Sequence, residues 1–114
     1  MPFDATLAER VRTGLLTLPL PIRTDMTEKN MFGGIAFLLR GKMTVGIIGK
    51  ELVVRVLAEK MEDLLKMDFI RPMDFSGKPM KEFVYVSPAG LEKEEQIEHW
   101  IALGIEHARY KLNI

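Results

Sequence analysis

The sequence predicts an α+β fold: a two-layer sandwich in which an antiparallel sheet of about five to six strands carries three helices on one face. Three observations predict it. Residues 35–56 hold three short runs rich in Val, Ile and Phe, separated by "RGK" at 40–42 and "GK" at 49–50. Apolar residues recur at helical spacing near both ends of the chain and once in its middle. No repeat, low-complexity tract or long linker interrupts the 114 residues, so 1–114 is expected to form a single domain.

The elements follow in order. In "DATLAERVRTGLLTL", Leu7, Ala8, Val11, Leu15 and Leu18 share one helical face. Asp4 is placed to cap the first turn, and Pro19 and Pro21 are expected to stop the helix, because proline lacks a donor and restricts the residue before it. A short strand is expected around residues 28–32, then strands over 35–39, 43–48 and 52–56, with glycine supplying the positive φ that tight hairpins need. "LAEKMEDLLKM" changes the period to that of a short amphipathic helix. "EFVYVS" at 82–87 returns to a strand, and "EKEEQIEHWIALGIEHARYKL" is the longest helix. Its stripe is Ile97, Trp100, Ile101, Gly104, Ile105, Ala108 and Leu112. Acids open it and bases close it, as the helix dipole favours. The expected order is α-β(3–4)-α-β(1–2)-α.

Composition narrows the function classes. Hydrophobic residues are 47% and charged residues 28%, an ordinary globular balance. Lys plus Arg and Asp plus Glu are 16 each, and this zero net charge argues against direct nucleic-acid binding. The absence of cysteine removes disulfides, thiolate nucleophiles and Cys-based metal sites. Charges from Asp4 onward exclude a signal-peptide core, and no apolar run nears the roughly 20 residues of a membrane helix. A cytoplasmic protein without membrane association is the expectation.

Motifs for chemistry are weak. Gly77-Lys78 resembles the end of a phosphate loop, but Pro79 stands where a Ser or Thr hydroxyl is needed, and no glycine stands five residues before Gly77. "MFGG" at 31–34 opens a strand, so a bend is expected there and not a dinucleotide site. His99 and His107 are eight apart, about 12 Å along a helix, too far to share one zinc ion; both are expected on a solvated flank. Ser76 and Ser87 lie outside any nucleophile elbow, and the acidic runs fall on polar helix faces. No catalytic residue, metal site or cofactor is expected, and the chain is not expected to be an enzyme.

One basic cluster stands out. Arg55 is the lone charge within "LVVRV", and Arg71, Lys78 and Lys81 flank the prolines of "RPMDFSGKPMKEF". If that stretch returns over the sheet, with Tyr85 nearby, the four could converge on an anion or an acidic partner. The plainer alternative pairs Arg55 with an acidic neighbour on a half-exposed face. The stretch itself is read as a proline-stiffened connection into the strand at 82–87, with Asp74-Phe75 as a short edge strand before a Ser76-Gly77 turn.

"TEKNMFGGIAFLLRGKM" (27–43) and "RPMDFSGKPMKEFVYVSPAGL" (71–91), joined by "LVVRV", closely resemble the TfoX/Sxy N-terminal domain family over nearly the whole chain. The resemblance implies a two-layer α/β sandwich like the type III secretion chaperones. It implies a relation to regulators of natural competence that act with the cyclic-AMP receptor protein and carry a second, C-terminal domain. It supplies no catalytic residues. The function expected is a non-enzymatic interaction or regulatory module, with a protein partner or self-association on the sheet face away from the helices. The alternative is a protein that binds small anions or nucleotide phosphates through Arg55, Arg71, Lys78 and Lys81.

Overall fold

In the computed structural model, residues 3–31, 33–75 and 78–114 are described, with backbone alone at 74, 75 and 78–80. The elements are α1 (Ala5–Leu15), α2 (Leu20–Arg23), β1 (Met26–Met31), β2 (Gly34–Leu39), β3 (Lys42–Ile48), β4 (Glu51–Arg55), α3 (Ala58–Leu64), β5 (Ile70–Phe75), β6 (Lys78–Val86), a 3-10 turn (Pro88–Gly90) and α4 (Glu94–Leu112). The strands form one antiparallel sheet in the order β1-β2-β3-β4-β6-β5. The α+β sandwich expected from the sequence is therefore the observed fold, and three of its apolar runs are β2, β3 and most of β4.

Two local expectations change. The first helix ends at Leu15, ahead of both prolines, and Pro19 and Pro21 instead open the one-turn helix α2. Their fixed φ suits a first helical turn, where the missing N–H goes unmissed. The stretch 71–83 is not a connection: it belongs to a hairpin of β5 and β6, although the turn expected at Ser76-Gly77 lies outside the described residues. A strand can hold Pro72 because β5 is the sheet edge, where one side of the backbone owes no ladder bond. Pro79 lies beyond the part of β6 that pairs with β4.

The pleat sorts the side chains onto two faces. Ile35, Phe37, Leu39, Val45, Ile47, Leu52, Val54, Val84 and Val86 point towards α1 and α4, which bury Leu7, Val11, Ile97, Trp100 and Ile101 against them. Asp4 caps α1 as expected, its Oδ1 accepting from the N–H groups of Thr6 (2.9 Å) and Leu7 (3.1 Å). On the other face Ala36, Leu38, Met43, Val53, Met73 and Phe83 form a second buried cluster with no helical member. Met31, Ile48 and Tyr85 pack around it and leave it little contact with water.

Helix α4 approaches the sheet closely at one point. A Cβ at Gly104 would lie 2.5 Å from the carbonyl oxygen of Thr44 in β3. Thr44 is itself fully buried, and its hydroxyl donates to the Phe37 carbonyl at 2.8 Å. A Gly104→Ala variant gains up to about 1 kcal/mol of helix propensity. It also drives a methyl into backbone that cannot rotate away, an overpacking cost of about 1–3 kcal/mol. Net destabilisation is therefore expected in denaturant unfolding; an unchanged or raised midpoint would show that α4 can lift freely from β3.

Candidate functional site

The basic residues singled out in the sequence do not meet at one point. Glu51, Val53 and Arg55 of β4, Phe83 and Tyr85 of β6, and Arg71 and Met73 of β5 share the face away from the helices, as the register Val53↔Tyr85, Arg55↔Phe83 and Arg71↔Tyr85 requires. Arg55 and Arg71 are thus two strand spacings apart across the sheet and two residues apart along it, roughly 12 Å. Lys81 is exposed beyond the end of β4, and the Lys78 side chain lies outside the described residues.

Each arginine has a separate setting. The Arg71 guanidinium lies 4.8 Å from the Tyr85 ring centroid and bonds the Glu51 carboxylate, which also accepts from the Ser87 hydroxyl at 3.3 Å. Stacking and the ion pair together orient a half-exposed cation. The Arg55 guanidinium sits 4.9 Å over Phe83. Among the described residues it forms no ion pair within contact distance, and its buried Nε has no hydrogen-bond partner there, although its charge is felt by the Glu82 carboxyl.

A second cluster escaped the reading of the sequence. His107 is fully buried, which overturns its placement on a solvated flank; His99 is exposed as expected. Trp100, Leu103 and His107 follow one another at helical spacing, so the buried stripe of α4 is wider than its apolar letters suggest. Glu82 faces His107 because the alternation from Val86 and Val84 carries it to the helix side. Its Oε1 lies 3.4 Å from His107 Nε2 and 3.7 Å from Lys111 Nζ. The first distance is long for an N–H···O bond, so neither ring nitrogen has a well-formed partner. Glu82 also holds a φ of 67°, a left-handed conformation that costs a side-chain-bearing residue of order 1–3 kcal/mol.

The electrostatics follow from burial and from these neighbours. Burial alone would raise the Glu82 carboxyl, but the contact with His107 and the charges of Lys111 and Arg55 outweigh it and hold the group below its ordinary 4.5. Burial lowers the His107 imidazole below 6.5; Arg55 and Lys111 push the same way, against the pull of Glu82. At neutral pH the cluster is a carboxylate facing a neutral imidazole. Among the described residues no three His, Asp or Glu side chains gather to hold a metal ion. Among the described residues no hydroxyl is hydrogen-bonded to His107.

These shifts contribute to the acid limb of stability. With the folded pKa of His107 depressed, the unfolded chain takes the proton first. Stability is then complete above about 6.5 and is lost as pH falls through the folded value. Glu82 contributes stability above 4.5 that is lost at lower pH still. A His107→Leu variant is expected to match the parent within about 1 kcal/mol at neutral pH, since it removes a buried, poorly bonded imidazole. It should also lose the upper step of the acid limb and, because His107 is the largest of the influences that lower Glu82, weaken the lower one. Urea midpoints measured from about pH 8 to about pH 3 check this; an unaltered upper step would assign it elsewhere.

Comparison with curated proteins and with solved structures returned no match. A family model described as the TfoX N-terminal domain matches residues 21–108. The match begins in α2, takes in all six strands and ends in α4, so it includes Arg55, Arg71, Lys78, Lys81, Glu82 and His107. Because it covers most of the chain, this protein belongs to the TfoX N-terminal domain family.

Proposed function

We propose that this competence-regulator-like domain is a non-enzymatic interaction module, acting in transcription regulation in the cytoplasm by binding a protein rather than DNA. The observation that supports it is the helix-free sheet face. There Arg71 stacked on Tyr85 and Arg55 over Phe83 stand around an apolar centre. Arginine and tyrosine held rigid beside buried apolar residues are the side chains that dominate protein–protein binding energies. Their charge selects a partner with an acidic segment flanked by apolar residues. The balanced charge of the chain, with a pI near 6.7, supports protein over nucleic acid as the partner.

The experiment is a copurification and crosslinking series with parent, Tyr85→Ala and Arg71→Glu proteins, alongside Lys60→Ala on the helix side. A partner, or a second copy of the chain, held by the parent and by Lys60→Ala should be lost from the other two. A strictly monomeric protein that retains nothing, or a partner held equally by all four, overturns the reading.

One observation favours a second reading, a site for small anions or nucleotide phosphates. The Arg55 Nε is buried without a partner among the described residues, a donor that an anion could satisfy. Inorganic phosphate and nucleoside phosphates should then raise the melting temperature of the parent and not of Arg55→Ala. A shift that survives this substitution, or no shift at all, removes the reading.

A further inference from the structure

On the helical side of the molecule an apolar groove of about 470 Å³ runs beside α4. Leu18, Pro19 and Ile22 form one wall; Ala102 and Ile105 form the other, with Glu106 and Arg109 further along the helix. The segment that makes the first wall also leaves Leu16 63% and Leu20 59% exposed. Pro19 and Pro21 are exposed beside them. Large apolar side chains left in water next to an apolar groove are what an interaction surface presents before it is covered.

The outward row of α4 identifies the cover. Glu95, Glu98, Ala102, Glu106 and Arg109 are exposed and recur at helical spacing. Ala102 is the smallest of them and lines the groove, so a second helix can come closest there. Glu95 and Arg109 lie seven residues to either side of it, about 10.5 Å along the axis each way. Neither has an ion pair among the described residues, and Arg109 donates to the Ile114 carbonyl at 3.2 Å. A helix laid antiparallel on α4 and centred on Ala102 must be basic where α4 is acidic and acidic where it is basic. Reversed end for end, α4 is itself such a helix.

We propose that two copies of this chain pair through this surface, with their α4 helices antiparallel about a two-fold axis at Ala102. Glu95 of each copy then faces Arg109 of the other. The axis crosses α4 at right angles, so both grooves lie to the same side of the paired helices and face each other. Leu16 and Leu20 of each copy supply apolar side chains to the groove opposite. Opposed helix dipoles favour the same arrangement. Glu98 faces Glu106 of the other copy, whose charge Lys60 already meets. The contact is isologous and closes at two copies. It goes beyond the module proposed for the sheet face, does not depend on it, and leaves that face open on both copies.

The test is sedimentation equilibrium of the full chain over a concentration series up to about 1 mM. The parent should form a dimer, weak because the interface is small. Arg109→Glu or Glu95→Arg alone sets like charges face to face and should weaken the dimer by roughly tenfold. The double variant exchanges the two charges and should return to within roughly threefold of the parent. Ala102→Arg should abolish the dimer. All these positions are exposed, so the variants should melt as the parent does. Lys60→Ala uncovers Glu106 and should weaken the dimer by roughly threefold, while Tyr85→Ala and Arg71→Glu leave it unchanged. A contact on the sheet face gives the opposite pattern, so the two readings fail separately. The proposal is overturned if the parent is monomeric throughout, including where the groove retains a different protein. It is also overturned if either single charge variant dimerises as the parent does, if the double variant stays as weak as the single ones, or if the dimer is lost from Tyr85→Ala.

Discussion

The structure depends on how close α4 comes to the sheet. At Gly104 the helix backbone rests on the Thr44 carbonyl, nearer than any side chain would allow. That contact sets the height of the helix along its length. Ile97, Trp100 and Ile101 are buried against strands and α1 because of it, and His107 is sealed from water one turn further on. The Thr44 hydroxyl bonds within the sheet, so the strand beneath the contact is braced. The far end of α4 meets Glu82 through His107 and Lys111.

The sheet supplies the contrast between the two faces. One is covered by helices and is a conventional core. The other buries an apolar cluster whose described members all lie in strands, with Arg55, Arg71 and Tyr85 at its rim half in water. A cation stacked on an aromatic ring loses less freedom on binding than a free side chain, because it is already positioned. The strained backbone of Glu82 and the poorly bonded His107 lie beneath this rim, on the covered face. Strain of that kind is often stored close to where a protein acts.

Much of the architecture was legible in the chain. Continuous apolar runs flanked by glycines marked β2, β3 and β4, because those strands are buried on both faces and need no polar alternation. The hairpin of β5 and β6 was less so: Pro72 and Pro79 argue against strands, and only topology makes them acceptable, Pro72 through the edge position of β5 and Pro79 because it lies beyond the part of β6 that pairs with β4. Arg71 and Arg55 were visible as charges among apolar letters, but which ring or carboxylate each meets depends on the register. His107 was missed because a titratable letter was read as solvent-facing, although its spacing from Trp100 and Leu103 placed it on the buried stripe. The approach of Phe69 to Trp100 joins residues far apart in sequence through a glycine, and nothing local announces it.

Pro72 has a consequence for assembly. The sheet has two free borders, β1 and β5, and they are unequal. A proline on β5 deletes an N–H from one border, so a further strand cannot be added there in unbroken register. The β1 border keeps its donors and acceptors and carries Glu28 and Lys29 among its exposed residues. Growth of the sheet from one molecule into another is therefore polar: it can proceed at β1 and is interrupted at β5. Two copies could join β1 to β1 as a closed pair, whereas a fibre that needs both borders is denied its second one.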